Sequence, residues 1–179
     1  LGAKDGELVE AEQLKNQRIS GLYAAKIVNI VGDPSGPRAV SLIAIHQHGI
    51  PNQFPKEVLQ EAENINFSET VPRDDLTKIP FVTIDPSDAR DHDDAVYAHA
   101  DEDPSNRGGH VLWVAIADVA HFVKPGSALD KEAKKRGNST YFADRVVPML
   151  PDRLSGDLCS IHEGVERPCL AVCMTIDKS

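Results

Sequence analysis

The stretch that decides how this chain is read is TIDPSDARDHDDAVYA, residues 83–98. Asp85, Asp88, Asp91, Asp93 and Asp94 fall within ten residues. Carboxylates this close repel one another, and each one withdrawn from water costs more. Such crowding is tolerable in a solvated acidic loop or around a positive charge. Apolar residues flank it on both sides, in PFVTI (80–84) and DAVYAHA (94–100), and they predict partial burial, which favours the second reading.

The stretch is also where the charge sits. Of a net charge of −9 over 179 residues, −7 lies within residues 85–103. Residues 131–145 follow with a net +3, from Lys131, Lys134, Lys135, Arg136 and Arg145 against Glu132 and Asp144. A concentrated acidic spot followed by a basic segment suits a metal-dependent enzyme acting on a polyanion, where the overall acidity alone would argue against a nucleic-acid binder. Hydrophobic residues make up 41% and charged residues 26%, the balance of a globular chain. No apolar run approaches the roughly 18 residues of a membrane helix, and no signal peptide is visible. Cys159, Cys169 and Cys173 lack the spacing of a zinc site and read as buried free thiols, which fits a reducing cytoplasm.

Outward from the acidic stretch, the chain reads as mixed α and β. GELVEAEQL (6–14) and GLYAAKIVNIVG (21–32) are strand-like, and AVSLIAIHQHGI (39–50) reads as a third strand after a hairpin turn at GDPSGPR (32–38). Short strands with Gly/Pro turns point to a small barrel or its C-terminal part. FPKEVLQEAENI (54–65) predicts a helix with Val58, Leu59, Ala62 and Ile65 on one face, and NFSETVPRDDLTKIP (66–80) reads as a linker. PFVTI predicts a short strand stopped by Pro86. DAVYAHA and HVLWVAIAD (110–118) predict a strand pair joined by DEDPSNRGG (101–109), with Trp113 in the core. Ser127, Asp130 and Gly137 mark the start and end of a helix. A short element at RLSGDLCSI (153–161) and a strand at PCLAVCMTI (168–176) complete the pattern.

Asp85 stands where a strand meets a loop, and Asp91, Asp93 and Asp94 follow closely enough to converge with it if the loop turns back. Hard carboxylate oxygens select magnesium, manganese or calcium over zinc. Two such ions about 3.5–4 Å apart serve phosphodiester hydrolysis. An EF-hand is disfavoured because the central glycine and the glutamate at the twelfth position are missing. A phosphotransferase with a nucleophilic aspartate stays open but has no supporting motif. Asp88 reads as a turn residue, with Arg90 beside it as its pair.

TIDPSDARDHDDAVYA resembles the catalytic signature of the ribonuclease II/ribonuclease R exoribonuclease family, and the likeness runs on through LWVAIADVAHFVKPGSALDKEAKKRGNSTYFADRVVPMLPDRLSGDLCSI (112–161). DARDHDD and VVPMLP bring it closest to the bacterial ribonuclease R branch. The resemblance implies the C-terminal part of an OB-type (cold-shock) β-barrel in residues 1–50, a helix and linker in 51–79, and the first half of an RNB catalytic domain in 80–179. It implies processive 3′-to-5′ hydrolysis of single-stranded RNA to nucleoside 5′-monophosphates, in the cytoplasm, with Mg2+ (or Mn2+) and no organic cofactor. The family's metal-site aspartates correspond to Asp85, Asp91, Asp93 and Asp94. Its base-stacking tyrosine corresponds to Tyr141, with Arg145 as a further RNA contact. Asp118 is expected to order the site's framework, and His92 is given no proton-transfer role. The family's catalytic domain continues beyond Ser179 with an arginine and a glutamate of the active site, so this chain is expected to be a fragment with little activity alone. The alternative is a non-catalytic RNA-binding or regulatory module with an RNB-like fold. Without metal, the acidic loop is expected to be loosened or partly protonated. Oligomeric state leaves no mark in the sequence.

Overall fold

The computed structural model describes residues 2–66 and 71–178. The chain forms two compact units: Leu1–Gln53 with Ser139–Val147, and Phe54–Asn138 with Pro148–Ser179. Residues 67–70 of the expected linker lie outside the described residues. No helix among the described residues is long and apolar enough to cross a membrane.

In the first unit, β1 (Leu8–Ile19) and β2 (Leu22–Gly32) form an antiparallel ribbon. Ser20 and Gly21 connect them with φ of 51° and 81°. Positive φ at both central residues is the geometry whose twist matches that of the flanking strands. The third expected strand is instead a helix, α1 (Pro37–Gln47). The Gly/Pro stretch read as a hairpin turn is its entry: Ser35 donates from both N–H and Oγ to Asp33 Oδ1, at 2.8 and 2.6 Å. Pro37 then takes the first helical turn, where its missing N–H costs nothing. Ala39, Ser41 and Ile45 are buried while Val40 and Ile43 are exposed, so the run is only partly covered. β5 (Thr140–Tyr141) and β6 (Val146–Val147) make a short antiparallel pair in the same unit. Among the described residues these strands do not close a barrel.

The second unit is built on a three-stranded antiparallel sheet in the order β3 (Asp94–Ala100), β4 (His110–Ala117), β7 (Cys169–Ile176). The strand expected at 80–84 shrinks to one bridge, in which Val82 and Val96 exchange backbone hydrogen bonds of 3.0 and 2.9 Å. Pro80 and Pro86 close off both ends of that segment because neither has an N–H to offer a ladder. Trp113 is only half-buried, on the face it shares with its register partners Tyr97 and Cys173.

Helices complete this unit: α2 (Lys56–Asn64), a single turn α3 (Val119–Phe122) and α4 (Ala128–Arg136). Val58, Ala62, Ala117, Phe122, Leu129, Leu150, Leu154, Leu158 and Cys159 form one buried cluster. The start of α4 is capped from two sides. Ser127 Oγ accepts from Asp130 N–H (3.2 Å), and Glu61 of α2 accepts from Leu129 N–H (3.1 Å). The Asp130 carboxylate reaches back to Gly126 N–H at 2.8 Å, one residue earlier than in a standard capping box. Arg136 does not join the basic surface. It is buried against Glu132 (2.9 Å), donates to Pro148 O (3.1 Å) and lies 3.7 Å over the Phe54 ring.

Leu129 has no exposed surface, whereas Leu59, expected on the same buried face as Val58, is 41% exposed. Leu129→Ala should therefore lower the unfolding free energy by about 2–5 kcal/mol, and Leu59→Ala by less than about 1 kcal/mol. Urea titration of the two variants checks this, and equal losses would contradict the packing described.

Candidate active site

The acidic stretch forms a loop between the Val82 bridge and the start of β3. Its first part is a tight turn in which Ala89 N–H donates to Pro86 O at 3.0 Å, which places Asp88 at the turn as expected. Asp94 is the first residue of β3 and is exposed. Its neighbour Asp93 is tied to the end of β4 by Ala117 N–H donating to Asp93 O (2.9 Å).

The middle of the loop is held by residues far away in sequence. His92 N–H donates to Ser160 Oγ (2.9 Å), and the Ser160 hydroxyl donates to Arg90 O (3.3 Å). Ile161 N–H donates to His92 O (2.9 Å). Arg90 thus enters the site through its carbonyl. The His92 ring turns toward Asp85, with Nδ1 2.9 Å from Oδ2. An ionised carboxylate only accepts, so Nδ1 carries the proton. The other flank of the ring meets His162 edge-on, with centroids 5.8 Å apart.

The four expected carboxylates occupy different electrostatic positions. The hydrogen bond from His92 holds the Asp85 carboxyl below its ordinary value, against partial burial and with help from Thr83. Asp93 moves the other way. Partial burial raises its carboxyl, and the negative charges of Asp91, Asp94 and Asp85 push it further up. Asp93 therefore lies in the field of the other three. That donor set, hard oxygens with a concentrated negative potential, fits a divalent cation of the magnesium class. Among the described residues no three acidic or imidazole side chains close into a ready ligand cage. The Asp93 carboxyl is raised, and the backbone from Arg90 to Asp93 is held by hydrogen bonds.

Asp118 stands at the end of β4, where it caps α3 by accepting from His121 N–H (3.1 Å). Burial works against its charge, but Arg73 Nη2, 2.7 Å from Oδ2, and the His121 amide hold its carboxyl below the ordinary value. Arg73 also reaches Cys169 O (3.4 Å), and Asp118 N–H donates to Pro168 O (2.9 Å). Asp118 thus ties the end of β4 to the start of β7, the framework role expected of it. Cys159 lies between these carboxylates: burial, then the charges of Asp93 and Asp118, push its thiol up to about 12. It is inert as a nucleophile at neutral pH.

Tyr141 and Arg145 belong to the other compact unit. Tyr141 is 65% exposed on β5. Arg145 Nε bonds Asp144 at 3.1 Å.

The RNB domain family matches residues 73–179, and the cold-shock domain family matches residues 1–55. The chain belongs to the RNB family. It is 45% identical over 184 residues to ribonuclease R of Vibrio parahaemolyticus serotype O3:K6, covering 99% of this chain and 21% of that protein. In three dimensions it is similar to Mycoplasma genitalium RNase R in complex with double-stranded RNA (TM-score 0.77, 30% identity, 96% of this chain and 30% of that one). Yeast Ssd1, described as a pseudonuclease, shares the fold at a TM-score of 0.60 and 18% identity, covering 97% of this chain and 22% of that one. The chain spans about a fifth of the length of the curated relatives it matches.

Within this RNB chain, reading the sequence alone missed His92, Ser160 and Arg73 as parts of the site. His92 carries no expected proton-transfer role, but its ring fixes Asp85. Ser160 and Arg73 act across 68 and 45 residues respectively, a separation no local motif reveals.

The raised Asp93 carboxyl sets a pH dependence. A carboxyl whose folded pKa exceeds its unfolded value destabilises the fold once ionised. The penalty is complete above the raised value and absent below the unfolded value of ~3.9. Without divalent metal, Asp93→Asn should melt above the wild type at neutral pH, with the gain vanishing as the pH falls toward 4. Thermal melts across that range check this, and a variant melting below the wild type at neutral pH would contradict it.

Proposed function

We propose that this chain carries the metal-binding part of a 3′-to-5′ exoribonuclease that hydrolyses single-stranded RNA processively to nucleoside 5′-monophosphates. The observation that carries the reading is a loop bearing Asp85, Asp91, Asp93 and Asp94 whose backbone is hydrogen-bonded by Ser160 on both sides of Asp91 and whose Asp85 is held by His92. Family membership and similarity to ribonuclease R support it. Mg2+, with Mn2+ as a substitute, would be held by these four carboxylates, where it would orient the scissile phosphate and acidify the attacking water.

The protein's own groups divide the remaining work. Asp93, in the field of three other carboxylates, is the group whose ionisation gains most from a bound cation. His92 keeps Asp85 ionised and fixes its orientation. Asp94, exposed at the start of β3, is open to solvent and so to a substrate phosphate. Tyr141 offers an exposed ring for stacking on a base, which is sequence-tolerant, and Arg145 offers a cation for phosphate. The three cysteines are free, with Cys159 buried, Cys169 half-buried and Cys173 exposed where burial was expected, and a reducing, cytoplasmic setting suits them.

The likeness to Ssd1 keeps a second reading in view, a non-catalytic RNA-binding module with the same fold. The two separate in one experiment on a full-length protein carrying these residues, incubated with Mg2+ and 3′-labelled single-stranded RNA. Release of labelled mononucleotide is expected. Asp94→Asn should abolish it while leaving RNA affinity within about threefold, because binding rests on distributed phosphate and stacking contacts. RNA binding by the wild type with no product would favour the binding module.

A further inference from the structure

Ser160 has no exposed surface, and its hydroxyl both accepts and donates. It accepts from His92 N–H at 2.9 Å and donates to Arg90 O at 3.3 Å, so a single oxygen grips the backbone immediately before and immediately after Asp91. Ile161 N–H adds a third contact, to His92 O at 2.9 Å, on the side leading to Asp93. The His92 ring thus held carries the hydrogen bond to Asp85.

The serine is itself placed by the core. A π-helical turn, Leu154–Leu158, buries Leu154 and Leu158, and Cys159 beside it is buried too. Cys159 N–H donates to Leu154 O (2.8 Å) and Ser160 N–H to Asp157 O (3.0 Å), which closes the turn. Arg167 braces the same turn by donating from Nε to Asp157 O (3.1 Å). The chain of contacts therefore runs from packed leucines, through one hydroxyl, to the backbone of the acidic loop.

We propose that Ser160 is a positioning residue for the carboxylate site, setting Asp91 through the backbone on both its sides and Asp85 through His92; this rests on the metal-binding reading above. Four like charges drive the loop apart, and an oxygen that satisfies one donor and one acceptor inside the protein opposes that spreading without adding charge. Partners of this kind, behind the groups that touch a metal, typically carry 10–100-fold in metal affinity.

The test uses Mn2+ alone as the probe, titrated into the 179-residue chain and read by electron paramagnetic resonance of the free ion. Ser160→Ala removes the hydroxyl and should weaken Mn2+ binding roughly 10–100-fold. Ser160→Thr keeps the hydroxyl and should recover most of the affinity. Wild-type affinity in a folded Ser160→Ala chain would overturn the proposal, as would equal weakening in both variants. A measurement on the unaltered chain covers the case in which the variants do not fold. The amides of His92 and Ile161 should exchange with solvent deuterium far more slowly than that of Asp88, and fast exchange at His92 would overturn the clamp. A wild-type chain that binds no Mn2+ would defeat the metal reading instead, leaving amide exchange to decide for or against the clamp.

Discussion

The constraint on which the second unit depends is the mutual repulsion of carboxylates gathered around Asp93. Left to itself, the segment from Asp85 to Asp94 would spread, because the repulsion grows as the groups leave water. The fold opposes this with hydrogen bonds to the loop backbone. Ser160, Ile161 and Ala117 hold the main chain from Arg90 to Asp93, and the one ring that turns inward, His92, bonds a single carboxylate. The arrangement holds the backbone that carries the carboxylates, and the potential at Asp93 stays negative enough to raise its carboxyl. A site meant for a metal needs both, whereas an arginine placed among the carboxylates would fix them and cancel the charge.

The rest of the unit serves that end. The starts of β3 and β7 and the end of β4 meet at one edge of the sheet, where Arg73 and Asp118 tie β4 to β7. The buried cluster of α2, α4 and the Leu154–Leu158 turn gives Ser160 its rigidity. A loop carried on a flexible support could not keep four repelling side chains in register. The polar contacts are local and few, but each stands on close-packed apolar residues.

Much of this was legible in the sequence, and the misreadings have physical causes. The acidic loop, the β3–β4 pair and the capped α4 follow from patterns within about ten residues, where spacing and cap chemistry act directly. The run at 39–50 reads as a strand because a short, nearly continuous apolar stretch suits a strand as well as a helix. Pro37 after Gly36 was the cue that it starts a helix. The strand at 80–84 was overcalled because its β-branched residues outweighed two prolines that cannot join a ladder. Trp113 was assigned to the core by its size and strand position, but burial depends on what covers that face, which a strand pattern does not state. Ser160 and Arg73 stayed hidden for a different reason. Their partners lie many residues away, and a serine in a short polar turn carries no local sign that its hydroxyl will hold another loop.

The central claim is that Asp85, Asp91, Asp93 and Asp94 are a metal site. Its most direct test is crystallographic: crystals of the chain grown with Mn2+, measured at the manganese absorption edge. The account predicts an anomalous peak bonded to at least two of these four aspartates, with the backbone from Arg90 to Asp93 unmoved. Bound manganese at the Asp101–Asp103 turn and none at this loop would contradict it.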